Sequence, residues 1–361
     1  MARKERNIYK RKDGRYEARY IKGRDEQGKA VYGAVYARSY SGVKDKLERV
    51  KQSIKQSALP NTLRTVSAEL ENYLVSLKPQ IKQSTYGVYL RYLENYITPY
   101  FKDIRCSQLT QEIIQGFVNR QLENGLSAVT VRSVFCFLRN GLGNAISKDI
   151  SRIKLPKYIP NKVSALTVEE QKRLESVAKA SDHIDHISII ICLYTGIRIG
   201  ELCGLLWSDI DFERNLLHIR RTLQRIKNIE GATKTVIVST PPKSAASKRS
   251  IPLPGFLVSL LKEQRIHSVG NYIINHDGKA VEPRNIQYRF KNLLEAANIR
   301  SENFHILRHT FSTRALENGF DVKTLSEILG HSSAAVTLKK YAHTLDEHKR
   351  KSMESLSAVY H

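Results

Sequence analysis

Two proline-bearing breaks constrain this 361-residue chain more than any other feature of it. Leu59-Pro60-Asn61 and Ile153-Lys154-Leu155-Pro156-Lys157-Tyr158-Ile159-Pro160 carry little apolar periodicity, and proline continues neither a helix nor a central strand, so both read as linkers. They separate three stretches with different hydrophobic rhythms: period two, then helical, then mixed. A chain cut in this way does not form one continuous core. Its length also calls for two or three domains at roughly 100–200 residues each.

Residues 1–58 read as three short strands and a helix. Tyr16, Ala18 and Tyr20 alternate with Arg15, Glu17 and Arg19, the period of a half-buried strand. Lys12-Asp13-Gly14 is a hairpin turn, Gly23 to Gly28 a longer loop, and Val31 to Arg38 the third strand. Ser41 is placed to cap a helix with Val43, Leu47, Val50 and Ile54 on one stripe. The opposite sheet face then shows Arg and Tyr. Such a face fits a DNA major groove, which admits a strand ribbon, and also fits a small module that binds protein.

Residues 62–155 read as an all-α bundle of four helices. Leu63, Val66, Leu70, Leu74 and Leu77 recur at helical spacing up to Pro79; Tyr86, Tyr89, Leu90, Leu93 and Ile97 make a second stripe closed by Pro99. Thr110 caps a third helix through Ile113, Ile114, Phe117 and Leu122. Ser127 starts a fourth through Val131, Val134, Phe135, Leu138, Leu142 and Ile146. Past the second linker, Thr167 and Glu170 form a capping box, and the pattern becomes mixed but mainly helical.

Charge narrows the function. Lys plus Arg total 59 against 35 Asp plus Glu, a formal net charge of +24. Residues 1–60 hold +10, 61–160 hold +6 and 161–361 hold +8, so the excess lies on all three folded stretches. Such a balance favours a polyanion, nucleic acid first, over a mere aid to solubility. No apolar run approaches the ~20 residues of a membrane span, and the basic N-terminus has no apolar stretch after it, so the expected place is the cytoplasm. Cys106, Cys136, Cys192 and Cys203 show no CxxC spacing and read as buried free thiols.

Several nucleic-acid chemistries have no footing in the residues. There is no GxxxxGK[ST] loop, no acidic cluster of two-metal type and no HExxH. His305 and His309 have the spacing of zinc ligands but no Glu base and no nearby Cys, so no metal is expected. What stands out is a set of cations and one hydroxyl. Tyr194-Thr195-Gly196-Ile197-Arg198-Ile199-Gly200-Glu201-Leu202 puts Arg198 between two glycines. His305 and Arg308 are three apart, one helical face. His331 follows Gly330, a helix-ending glycine, and Tyr341 comes ten residues later. Between them, Pro241 to Pro252 forms a turn holding Lys243 and Lys248.

In this R…K…HxxR…H…Y order, with TGIRIGEL, LRHTF and LGH around it, the stretch from about 164 to 345 resembles the catalytic domain of the tyrosine recombinase (phage integrase) family. The bundle resembles that family's SAM-like core-site DNA-binding domain. The N-terminal sheet and helix resemble the arm-binding domain of integrases from phages and conjugative transposons. Ile306 stands where the family often has Asp, and a usual glycine is missing around Phe101-Lys102-Asp103.

The resemblance implies a site-specific recombinase of a mobile element that works through a 3′-phosphotyrosyl intermediate and a Holliday junction, with no cofactor. Arg198 and Arg308 would hold the charge that builds on the scissile phosphate, a task suited to the guanidinium fork. Tyr341 would be the nucleophile, Lys243 the general acid with Lys248 as its competitor, and His305 and His331 further phosphate or proton partners. Arg15, Arg19, Lys154, Lys157 and Arg249 are the candidate DNA contacts. The implied partners are double-stranded DNA at core and arm sites, three further copies of the chain in a tetramer, an excisionase and a DNA-bending host protein. Met353, Leu356, Val359 and Tyr360 make a short apolar stripe at 346–361, suited to subunit contact. The competing readings are a type IB topoisomerase-like enzyme and a non-catalytic DNA-binding regulator.

Overall fold

The computed structural model describes residues 7–11, 13–24, 30–57, 64–143, 152–158, 165–228, 233–242, 247–331, 333–338 and 353. Its contacts divide the chain into two units, Met1–Ile159 and Pro160–His361. The protein is multidomain and mainly helical, with small antiparallel sheets.

The first unit contains two separate cores. In one, β1 (Ile8–Lys10), β2 (Tyr16–Arg24) and β3 (Ala30–Ala37) form an antiparallel sheet in that order, with Ala18 facing Ile8 and Val35. Helix α1 (Tyr40–Ser57) covers one face and buries Ala18 against Val43 and Leu47. The helix starts before the expected Ser41: Ser39 Oγ accepts from the Gly42 N–H at 3.1 Å, which makes Ser39 the capping residue and puts Ser41 inside the first turn. Gly33 leaves room for the end of the Tyr20 ring, which a Cβ there would approach to 2.6 Å.

The second core belongs to a bundle of α2 (Val66–Leu77), α3 (Gln83–Tyr92), α4 (Thr98–Phe101), α5 (Gln111–Glu123) and α6 (Ala128–Leu142). Leu70, Leu74, Leu93, Ile97, Phe101, Phe117, Val134 and Leu138 fill it. Thr110 and Ser127 cap α5 and α6 as their positions predict. Pro99 does not close the second helix. A π-turn over Leu93–Ile97 carries α3 into α4, with the Thr98 N–H bonded to the Leu93 carbonyl. A proline in the first turn after it needs no acceptor, so the rod runs on to Phe101. Leu122, expected in the stripe, is 37% exposed.

The stretch 153–158 is extended but not loose. Gln115 Oε1 accepts from the Lys154 N–H at 2.8 Å while its Nε2 donates to the Lys154 carbonyl at 3.2 Å. Arg132 donates to the Pro156 carbonyl at 3.0 Å, and Ile153 and Leu155 pack against the bundle. A segment read as pure linker is thus a strap on its own unit.

In the second unit, the Thr167–Glu170 capping box opens α7 (Val168–Ala180) as expected. It packs on α8 (His183–Thr195), which is apolar nearly all round and buried accordingly. After α9 (Ile199–Cys203), strands β4 (Ile210–Asp211), β5 (Leu216–Ile219) and β8 (Arg249–Pro252) form an antiparallel sheet ordered β4-β5-β8. Between β5 and β8 the chain makes a two-stranded ribbon, β6 (Thr222–Lys227) with β7 (Thr235–Thr240). Then follow α10 (Gly255–His267), the short pair β9 (Asn275–His276) and β10 (Lys279–Ala280), α11 (Pro283–Ala296), α12 (Ile306–Glu317) and α13 (Val322–Leu329). Residues 334–338 make one further helical turn.

One core runs from Leu166 through α8 to Leu307, and a satellite of Leu316, Leu325 and Leu329 packs with Phe311. Of the four thiols, Cys106, Cys192 and Cys203 are buried, whereas Cys136 is exposed on α6, because it falls off the buried stripe of that helix. In the tail only Met353 is described, and it is exposed; Leu356, Val359 and Tyr360 lie outside the described residues.

Candidate active site

The site is built where α8 ends. Gly196 closes that helix in the left-handed region (φ 64°), and a Cβ on it would lie 2.4 Å from Phe311 Cδ1 and 3.0 Å from a Leu329 methyl. Only glycine both turns the chain there and lets it approach α12 and α13. Arg308, in the first turn of α12, uses this approach. Its Nη1 donates to the Gly196 carbonyl and its Nη2 to the Leu329 carbonyl, both at 2.8 Å, and the residue is 3% exposed. A buried guanidinium held by carbonyls from two elements is fixed without losing its charge.

Arg198 follows at the start of α9. Its Nη1 donates to Glu201 Oε1 at 2.8 Å and its backbone N–H to Glu201 Oε2 at 3.0 Å. The arginine side chain remains 38% exposed and its carboxylate partner only 4%. Gly200 and Gly204 bring α9 against β6; a Cβ on Gly200 would lie 2.9 Å from the Leu223 carbonyl.

His305 is exposed at the N-terminus of α12, where the Asn303 side chain accepts from its backbone N–H at 3.0 Å. Its ring meets that of His309 edge-on, with centroids 4.6 Å apart. Together with Arg198, His305 lines a groove of about 560 Å³ that also takes in Thr222, Gln224, Arg225, Arg284 and Gln287. The partial positive charge of the α12 N-terminus adds to that of the arginines. His331 follows Gly330, which ends α13 in the left-handed region as its position predicts. The His331 Nδ1 hydrogen-bonds Thr337 Oγ1 at 2.8 Å.

Arg249 is the clearest departure from expectation. Proposed as a DNA contact, its side chain is 6% exposed and turned inward. Its Nη2 donates to Glu201 Oε2 at 2.9 Å and its Nη1 to Glu201 Oε1 and the Ser247 carbonyl, each at 3.2 Å. Its Nε donates to the Ile328 carbonyl. All three nitrogens of this guanidinium are thus engaged within the protein. Burial pushes the Glu201 carboxyl up, but the hydrogen bonds and charge of Arg249, with those of Arg198, outweigh it and hold the group below its ordinary value.

Arg198, the His305–Arg308 pair and His331 therefore come from three separate places in the sequence onto neighbouring elements of one unit. Lys243 and Tyr341 lie outside the described residues, while Lys248 is exposed at the foot of β8. The other DNA candidates are exposed in the first unit. Arg15 and Arg19 stand beside Glu17, Asp13 and Tyr36, and Lys154 and Lys157 stand on the strap. Two functional-looking residues were not singled out from sequence. Glu201 had one signal, its place three residues after Arg198; Thr337 had none.

Known proteins share the sequence family and the fold of this chain. The sequence model described as "Phage integrase family" matches residues 164–348, and that described as "Phage integrase, N-terminal SAM-like domain" matches residues 65–122. A protein of Caldanaerobacter subterraneus subsp. tengcongensis named "Tyrosine recombinase XerC-like" is 25% identical over 393 residues, covering 99% of each chain. The tyrosine recombinase XerA of Thermococcus onnurineus is 28% identical over 251 residues, 68% of this chain and 78% of its own. In fold, the chain is similar to the Tn1549 transposon integrase solved with transposon right-end DNA (TM-score 0.66, 22% identity, 81% of this chain and 99% of that one). It is also similar to a lambda integrase solved as a tetramer bound to a Holliday junction (TM-score 0.58, 19% identity, 92% and 97%).

Proposed function

This chain belongs to the phage integrase family, and from that premise we propose that it is a site-specific DNA recombinase which integrates and excises a mobile element. The observation that supports this reading is that Arg198 and His305 line one groove of the second unit, while Arg308, on the helix that His305 opens, is held between the carbonyls of Gly196 and Leu329, which stand two residues before Arg198 and His331 in the sequence.

In this reading the scissile phosphate sits between the two guanidiniums. Attack by the Tyr341 hydroxyl adds an oxygen to phosphorus and builds negative charge on the equatorial oxygens, which Arg198 and Arg308 stabilise more strongly than they do the ground state. The 5′-oxygen leaves as a hydroxyl with a proton from Lys243, and the 3′-phosphate stays on the tyrosine. A 5′-hydroxyl of the partner strand then attacks the phosphotyrosine and releases the enzyme. One phosphodiester is exchanged for another of like energy, so no ATP enters the balance. His305 and His331 hydrogen-bond the phosphate or carry the tyrosine proton.

The sheet module would read arm sites and the bundle core sites, so one protomer could bridge two DNA segments. Four copies would work together on the junction, as the lambda relative's tetramer supports. The protein would act in the cytoplasm on the nucleoid, with an excisionase and a DNA-bending protein setting direction. The names of the relatives favour recombination over topoisomerase-type relaxation.

The test is a nicked duplex spanning a mapped junction of the element, incubated with the protein and run on a denaturing gel. Wild type gives a covalent protein–DNA band and Tyr341→Phe gives none. A band that persists in the phenylalanine variant removes Tyr341 from the role, and no band from wild type on any mapped junction sinks the recombinase reading.

A further inference from the structure

We propose that Arg249 is a positioning residue that keeps Arg198 available to a phosphate by balancing the charge of Glu201. The proposal rests on the recombinase reading above. Glu201 is 4% exposed and ionised, and its Oε1 lies 2.8 Å from Arg198 Nη1. A lone pair of this kind has no net charge, so the field Arg198 presents to a phosphate would be largely cancelled at close range. Arg249 changes the count. Two guanidiniums now share one carboxylate, leaving the triad with a net charge of +1, and the more exposed of the two cations is Arg198. The buried Arg249 thus takes the countercharge, while Arg198 keeps its place at the groove.

The same guanidinium ties three pieces of the site together. Glu201 orients Arg198. The Ser247 carbonyl directly precedes Lys248. The Ile328 carbonyl is in the last turn of α13, three residues before His331. Only a planar fork with several donors reaches all three at once. None of these contacts leaves Arg249 facing solvent.

The experiment measures single-turnover cleavage of the nicked duplex at saturating DNA, with wild type in parallel. Arg249→Met is expected to cleave at least tenfold more slowly while the salt dependence of DNA binding stays unchanged. The deciding variant is Arg249→Met with Glu201→Gln. Removing the carboxylate that then neutralises Arg198 should recover at least fivefold of the lost rate, although Glu201→Gln alone slows the wild type. A purely structural Arg249 predicts that the two changes worsen each other. The proposal fails if Arg249→Met cleaves within twofold of wild type, if the double variant is no faster than Arg249→Met, or if Arg249→Met lowers the salt slope by about one, as loss of a phosphate contact does. Should Arg249→Met not fold, Arg249→Gln, which keeps hydrogen bonding without the charge, is read by the same criteria. A wild type that forms no covalent band removes the recombinase reading instead, so the two failures are distinguishable.

Discussion

Thr337 Oγ1 lies 2.8 Å from His331 Nδ1, and Thr337 is completely buried. Thr337 stands four positions before Tyr341 in the sequence, within a turn that is helical over 334–338. The hydroxyl that fixes the histidine ring therefore belongs to the segment leading into the proposed nucleophile. Thr337→Val keeps the shape and removes this bond, which is worth about 1 kcal/mol directly and more if the partner is left unsatisfied. Cleavage should fall about tenfold with DNA affinity unchanged, and Thr337→Ser should restore it. Equal rates for the valine and threonine proteins would mean that the bond does not matter to the chemistry.

Gly196→Ala should damage stability and activity together. Alanine pays ~1–2 kcal/mol for the left-handed backbone, and its methyl would meet the Phe311 ring. Moving Phe311 disturbs the carbonyl that holds Arg308. A urea titration should show a lower midpoint, with a destabilisation of at least about 2 kcal/mol. An unchanged midpoint would show that α12 yields freely at this point.

How much of this was legible in the sequence depends on distance along the chain. Thr167 and Glu170, or Gly330 and His331, are near neighbours, so their capping geometry follows from local rules. The pairing of Glu201 with Arg249 spans 48 residues, and no local pattern announces it. An arginine beside a turn looks the same in sequence whether it meets DNA or a buried carboxylate. Pro99 misled for a different reason: a π-turn, not a break, absorbed the missing donor. Cys136 misled because its neighbours Phe135 and Phe137 are buried while it points outward between them.

The two lysines of the turn can be told apart chemically. A duplex with a 5′-bridging phosphorothiolate at the crossover has a leaving group that departs without a proton. Lys243→Ala should be slow on the ordinary duplex and near wild type on this one, while Lys248→Ala should show little difference between them. The reverse pattern would move the general acid to Lys248. An arginine variant such as Arg198→Ala should not be rescued by the thiolate.

Acid should weaken the catalytic unit through Glu201. Its folded value lies below the ordinary 4.5. A carboxyl lowered on folding contributes stability that is complete above that ordinary value and is lost as the pH falls through the lower folded one. Glu201→Gln should therefore be less stable than wild type at neutral pH, with the gap closing below about pH 4. Chemical denaturation at a series of pH values checks this; a gap that is constant with pH would place the stabilising charge elsewhere.

Surface cations should behave unlike the arginines of the site. Replacing Lys154 or Lys157 by alanine should weaken DNA binding on all sequences and lower the salt slope by about one each. Cleavage at saturating DNA should persist. A slope that does not move would show that the strap is not against phosphates.

The thiols lend themselves to a different use. Burial pushes Cys106 up to about 11, Cys203 up to about 12 and Cys192 well above its usual range, so these three hold almost no thiolate at neutral pH. Cys136 alone is exposed, on the outer side of α6. The native chain thus carries one addressable handle, on the bundle of the first unit. A maleimide dye placed there without any engineered cysteine would label each protomer once, and its fluorescence could follow the bundle as it meets DNA in real time.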